Sequence, residues 1–417
     1  MTKIDNNITE FKDTEIGRIP KEWKIKRLVE ISKIFSGNTA PQKWEYFKNG
    51  KYAFIRVGNL TNTMICKYPL KYDLINDKAV QDLKLKKFKK GDIIFPKSGE
   101  SIKLEKRAIL KEDSYVVNHL AIIEPTNKIN NLFLFYYMNT IKTADYLVGS
   151  SMPSLQLSVI KNFPVLLPPL EEQKRIADIL STVDEKINII NKEIQLTEKL
   201  KNGIIHKLLT EGIGHIEFKD TEIGRIPKEW KVVKLVEIIK YVKGKKPKEL
   251  KLEYKDQYLP YLSTDYLREN KNTKFVDSLK NVILINEDDL ILLWDGSNAG
   301  EVFLGRPGVL SSTMVRIQLK NNEYNKTFFY YLLKRNENYI KERTKGTGIP
   351  HVDKIVLNNI NIPIPPLEEQ KRIADILSTV DEKLELLNLK KQNLEILKKG
   401  LMNDLLTGKV RVKINDK

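Results

Sequence analysis

The chain has 417 residues, 41% hydrophobic and 30% charged, the composition of a folded soluble protein long enough for two or three domains. Cys66 is the only cysteine, and the four histidines (His119, His206, His215 and His351) form no HExxH or HxxxH pair. An intrachain disulfide, a CxxC redox pair and a cysteine zinc site are therefore excluded, and neither a metal site nor a cofactor is expected. The net charge of +18 points to a polyanionic partner, with nucleic acid favoured; no apolar run reaches about 18 residues and the opening MTKIDNNITEF lacks a secretory core, so the expected setting is the cytoplasm, away from membranes.

The first motif in chain order is FKDTEIGRIPKEWK at 11–24. A variable region follows, with short β-rich runs at KYAFIRVGNLT (51–61), GDIIFP (91–96) and YVVNHLAIIEP (115–125), then an aromatic helical stretch, LFLFYYM (132–138). The rings of that stretch are expected in a core, not stacked on bases. After the turn GSSMPSL from Gly149 comes PPLEEQKRIADILSTVDEK, at 168–186. Proline suits the first turn of a helix, and Glu171 and Glu172 offset the positive end of its dipole.

Every step then repeats. FKDTEIGRIPKEWK returns unchanged at 218–231, followed by VILINEDDLILLW (282–294), GVLSSTMVRIQL (308–319), TFFYYLL (327–333), the turn GTGIPHV from Gly346, and an identical PPLEEQKRIADILSTVDEK at 365–383. Apolar residues recur in steps of three and four at Ile176, Leu180, Val183, Ile187, Ile190 and Ile194, and at Ile373, Leu377, Val380, Leu384, Leu387 and Leu394. This is a coiled-coil seam, and each helix is expected to run to LLT at 208–210 or 405–407, with Gly212 or Gly408 ending it in the left-handed region. A second domain that begins where the first helix ends forces the second helix to run back against the first, so the pair is expected to be antiparallel and the chain ends to meet.

The expected fold class is α+β: two similar mixed α/β domains (11–165 and 212–362) separated by two long antiparallel coiled-coil helices (166–211 and 363–410), in a pseudo-twofold circular arrangement. Charge follows this division. The first domain holds 27 Lys and Arg against 15 Asp and Glu, whereas the first helical segment holds 7 against 8. Loops mixing small polar residues with lysine supply donors and acceptors for base edges and cations for phosphates. Candidates in the first domain are Ser36, Asn38, Thr39, Gln42 and Lys43 in SGNTAPQKW, with Lys97, Ser98, Ser101 and Lys103 in PKSGESIK. In the second they are Lys243, Lys245 and Lys246 in KGKKPKE, Ser297 and Asn298 in WDGSNAGE, and Thr347 and His351 in the GTGIPHV turn.

No GxxxxGKS/T phosphate loop, N/D-PP-aromatic motif or FxGxG cofactor loop is present. Glu253, Tyr254 and Lys255 imitate the end of a nuclease D…ExK set, but the first module has no counterpart. The whole pattern resembles the specificity subunit of type I restriction-modification systems. Pro169, Leu170, Glu172 and Gln173, with Pro366, Leu367, Glu369 and Gln370, carry the resemblance, as do GDIIF at Gly91 and the GSSMP and GTGIP turns; the second module departs from it by reading DDLILL where the first has GDIIF.

The resemblance implies a non-catalytic subunit that binds a bipartite site in double-stranded DNA. It implies two modification (methyltransferase) subunits as partners, which bring S-adenosylmethionine, and restriction subunits, which bring ATP hydrolysis and cleavage. The duplicated helix start is then the expected docking element, with Leu170, Glu172, Gln173, Leu367, Glu369 and Gln370 as its candidates. Two rival readings remain: a DNA methyltransferase or nuclease with degenerate motifs, and a coiled-coil scaffold that does not bind DNA.

Overall fold

The computed structural model describes residues 4–5, 10–61, 68–69, 71–147, 153–271, 273–321, 323–346 and 348–412. Cys66, the start of the GSSMPSL turn and Thr347 lie outside them. The chain divides into two compact units, one of Met1–Glu193 with Leu387–Lys417 and one of Ile194–Leu386. Each unit holds one variable region, the start of one long helix and the end of the other.

In the first unit the repeated opening motif is a tight hairpin, Phe11–Thr14 paired with Gly17–Pro20. Gly17 turns it at a φ of 111°, a conformation that favours glycine, and Arg18 lies over the Phe11 ring. The next strand, Lys24–Arg27, pairs with Pro164–Leu167, the strand that feeds the long helix. A four-stranded antiparallel sheet forms the centre, in the order Ser32–Ser36, Leu120–Pro125, Ile93–Pro96, Ala108–Ile109.

The period of two explains why these strands read as unbroken apolar runs. Ile93, Phe95 and Ile123 face one core with the aromatic helix, while the alternating Ile94 and Ile122 face a second core with Phe54, Tyr115 and Val116. That second core belongs to a three-stranded sheet in which Tyr115–Val116 runs parallel to Tyr52–Ile55, itself antiparallel to Asp73–Ile75. The run at 115–125 is therefore two strands in two sheets, broken at Asn118 and His119.

The second unit repeats this plan. Its hairpin is Phe218–Thr221 with Gly224–Pro227, and its central sheet runs Ile239–Lys243, Met314–Leu319, Leu290–Leu293, Val302–Leu304. Leu290–Leu293 occupies the place of Ile93–Pro96, so the DDLILL departure leaves the backbone correspondence intact. The runs at 282–294 and 308–319 each split into two strands as well. Both aromatic helices, Asn131–Met138 and Lys326–Arg335, are capped by an asparagine side chain accepting from the third residue onward, and their rings fill the core as expected.

The long helices span Leu170–Leu208 and Leu367–Leu405, 39 residues each, close to the bounds expected from their periodicity. At about 1.5 Å per residue each is about 60 Å long. In the first unit, Ile176, Ala177 and Leu180 near the start of the first helix share a core with Leu405 and Leu406 at the end of the second. In the second unit, Ile373, Ala374 and Leu377 share one with Leu209. Within each unit the helices are thus antiparallel. Gly212 and Gly408 follow the helix ends at φ 68° and 74°, and a Cβ on Gly408 would lie 2.5 Å from the Pro20 ring. The first and last described strands pair in the first unit, Ile4 with Val412 and Asp5 with Arg411.

Candidate nucleic-acid interface

Three connections leave the same end of the central sheet in the first unit. Pairing of Ser36 with Ala121 and of Pro96 with Leu120 places the residues after Ser36, after Pro96 and before Leu120 side by side. The turn at Ser154 joins them through a bridge to Ser98. Gly37 sits so tightly there that a Cβ would lie 2.1 Å from the Val117 carbonyl oxygen, so only glycine fits.

The second unit shares the main bonds of this frame. Gly37 N–H donates to the Leu120 carbonyl and Gly244 N–H to that of Met314; Lys97 N–H donates to His119 and Trp294 N–H to Thr313. Gly99 N–H donates to Pro153 and Gly296 N–H to Pro350, and the bridge between Asp295 and His351 repeats that between Ser98 and Ser154. A Cβ on Gly244 would lie 2.0 Å from the Ser311 carbonyl. Six positions therefore coincide while their side chains differ. They are Ser36 and Lys243, Lys97 and Trp294, Ser98 and Asp295, Asn118 and Ser312, His119 and Thr313, and Ser154 and His351.

The candidate side chains fall into two groups. Ser36 and Ser98 reach this end of the sheet: Ser36 Oγ donates to the Asn118 carbonyl at 3.2 Å, and Ser98 Oγ lies 2.7 Å from His119 Nδ1. Thr39, Gln42 and Lys43 are exposed along the following loop, and Lys103 is exposed and paired with Glu100. Asn38 is a brace, not a free reader, because its amide donates to the Val116 and Lys86 carbonyls and accepts from Lys86 N–H. Ser101 is likewise turned inward, its hydroxyl donating to the Ser98 carbonyl at 3.1 Å.

In the second unit Lys243 Nζ pairs with Asp295 Oδ2 at 2.5 Å, and Lys245, Lys246, Ser297, Asn298 and His351 are exposed. Lys345 beside Asp353 holds that carboxyl below the usual range, and Asp353 in turn caps the helix after the His351 turn.

Several functional candidates escaped the sequence reading. Asn118 and His119 hide inside an apolar run. Trp44 is 73% exposed with Lys48 across its ring, an aromatic surface of the kind that packs on a nucleic-acid backbone or base. Asn38 also ties the loop to exposed Lys86, which lies over the Phe35 ring, while its exposed neighbour Lys87 lies over that of Tyr52. The run LKLKKFKK (83–90) was the signal for that cationic edge.

Four of the six docking candidates make hydrogen bonds within the chain. Glu172 is fully buried, accepting from Trp23 Nε1 at 3.0 Å and from Arg411 Nε at 2.6 Å. Gln173 accepts from Asn130 N–H and donates to the Pro168 carbonyl. Glu369 repeats the first arrangement with Trp230 and His215, and Gln370 repeats the second with Asn325 and Pro365. Glu172 and Glu369 thus tie the helix start to the tryptophan of the opening motif, and Gln173 and Gln370 tie it to the asparagine that caps the aromatic helix. Leu170 is exposed and Leu367 half-exposed. The larger apolar surface lies farther along the helices: Ile189, Leu196 and Leu200 on one, Leu386, Leu389, Ile396 and Leu397 on the other.

The family model described as "Type I restriction modification DNA specificity domain" matches residues 20–199 and again 227–396. The chain belongs to the type I restriction-modification DNA specificity family. Among relatives, it is 33% identical over 423 residues to the putative type I restriction enzyme MjaX specificity subunit of Methanocaldococcus jannaschii, covering 97% of each chain. It is 50% identical over 190 residues to the MjaVIII specificity subunit of the same organism, a match spanning 46% of this chain and 45% of that one. Its fold is similar to the crystal structure of a type I restriction-modification S subunit from M. genitalium, with a TM-score of 0.65 at 19% identity over 97% of this chain and 99% of that one. Both specificity domains of this family member thus carry the matched loop frame, and each family match also runs into the long helix that follows.

Proposed function

We propose that this specificity chain reads an interrupted, asymmetric site in double-stranded DNA, each recognition domain reading one half, and that it does no chemistry itself. The observation that carries this reading is the pair of sheet ends with one backbone frame and different side chains at all six matched positions. An identical frame presents loops to a duplex in the same way, while different side chains ask for different bases. The cationic loops attract the phosphate backbone, so binding should weaken steeply as salt rises.

Modification subunits are the expected occupants of the exposed apolar stripes. Ile189 and Leu386 stand at matched positions on the two helices, as do Leu200 and Leu397, so one partner surface suits both. Restriction subunits would join such a complex and leave the DNA reading to this chain. The cytoplasm is the setting that suits a DNA-reading chain in which no described helix is long and apolar enough to cross a membrane.

The test is to express the chain with its cognate modification subunits and map every methylated position in the host DNA. One motif with two unlike halves and a fixed gap is expected. A continuous or palindromic motif would overturn the reading. Methylation or cleavage by the chain alone, given S-adenosylmethionine or a divalent metal, would instead establish an enzyme.

A further inference from the structure

Of the six matched positions, one places a negative charge where the other unit has none. The first unit places Ser98 there, an uncharged hydroxyl that can donate or accept and lies against the His119 imidazole. The second places Asp295, whose side chain is 35% exposed. Its Oδ2 is held by Lys243, the residue matched to Ser36, and among the described residues its Oδ1 has no hydrogen-bond partner. Its backbone is fixed from both sides, by Asp295 N–H donating to the Thr313 carbonyl and by the bridge to His351.

A carboxylate on a surface that faces phosphates is repelled by them. It is tolerated where a cation offsets it and where it meets a hydrogen-bond donor. On base edges in the major groove the donors are the exocyclic amines, N4 of cytosine and N6 of adenine; guanine and thymine offer only acceptors there. Lys243 supplies the cation, and its ammonium also lies over the Trp294 ring, which restrains it.

Building on the proposed DNA reading, we infer that Asp295 determines specificity in the half-site read by the second unit by accepting a hydrogen bond from the amino group of a cytosine or adenine, with Lys243 positioning its carboxylate. The first unit, with Ser98 and His119 in the same place, makes no such demand. Loss of the acceptor should relax one base position and leave the other half of the motif unchanged.

The experiment is methylation mapping with the intact complex of this chain and its modification subunits, comparing the parent with Asp295→Asn and Asp295→Ser. Asparagine keeps the shape and can offer a donor; serine is the residue of the matched position. Expected is a fall of about tenfold or more in discrimination at a single position of one half. The inference is overturned if both variants yield the parental motif. It is equally overturned if both lose preference at every position, or methylate nowhere, while melting as the parent does, since Asp295 would then serve binding or folding as a whole. If the parent itself shows no two-part motif, it is the proposed function that fails. Cytosine and adenine are distinguished by which base the parental motif holds at the relaxed position.

Discussion

At the scale of single residues, the identical repeats are explained by what their side chains bind. Trp23 in one motif donates to Glu172 in the other, and Trp230 donates to Glu369, so a change in either motif breaks a buried bond to its counterpart. Where the surroundings differ, the same position behaves differently. Asp92 and Asp289 both accept a backbone N–H at the start of a central strand, from Lys89 and Asn286. Asp289 also has Arg316 and Lys326 beside it, whereas burial pushes the Asp92 carboxyl up to about 6. Folded Asp92 therefore keeps a proton that the unfolded chain releases near the ordinary carboxylate pKa of about 4, so stability falls as pH rises from about 4 to about 6 and stays lowered above that. Asp92→Asn should melt a few degrees above the parent at about pH 8 and show no such gain at about pH 4. A thermal melt series across that range checks it, and an equal difference at every pH would contradict it. The candidates Asn118 and His119 were invisible in the sequence because the residues around them are apolar on both sides; a two-residue turn between strands of different sheets has no periodic signature.

At the scale of elements, helix bounds and the antiparallel seam were legible because helical periodicity is local and both seams keep steps of three and four. Ile176, Leu180, Val183, Ile187 and Ile194 are buried, and so are Ile373, Leu377 and Leu387; Ile190, Val380, Leu384 and Leu394 are half-buried. The apolar residues off that stripe, such as Leu196 and Leu200, were passed over because one seam already accounted for the helix. Equally hidden was what fixes the helices to the recognition domains, since the partners are far apart in sequence. In the first unit Tyr136 OH donates to Asp184 at 2.6 Å, and Lys398 from the other helix pairs with the same carboxylate at 2.5 Å. Tyr331, Asp381 and Lys201 repeat this cluster in the second unit. Burial sets their unequal weight: Lys398 and Asp184 are 2% and 6% exposed, Lys201 and Asp381 24% and 32%. Lys398→Met leaves a buried carboxylate without its cation and should cost about 3–5 kcal/mol, whereas Lys201→Met, at the matched place, should cost about 1 kcal/mol. Denaturant unfolding of the two variants measures both, and equal losses would mean that burial does not govern these pairs.

At the scale of the whole molecule, each unit completes its core with the end of a helix that begins in the other, and the two helix ends are interchangeable in kind. Leu401, Met402, Leu405 and Leu406 pack in the first unit at the positions that Ile204, Ile205, Leu208 and Leu209 hold in the second. Lys398 and Lys201 match in the same way. Beyond the helix, Arg411 holds Glu172 in the first unit, and His215 with the Ile213 N–H holds Glu369 in the second. A fragment of residues 1–217 therefore carries a recognition domain with an incomplete core and, on its own helix, a fitting replacement for the missing end. Two copies can supply each other, with His215 of one standing where Arg411 stood beside Glu172 of the other. The fragment is expected to homodimerise, giving twice its chain mass in light scattering, and to bind a symmetric DNA site built from two copies of the half read by the first unit. Lys201→Glu in the fragment should weaken that dimer by tenfold or more, since it sets two carboxylates against each other where Lys398 met Asp184. A fragment that folds and stays monomeric would show that the long helices do not exchange ends.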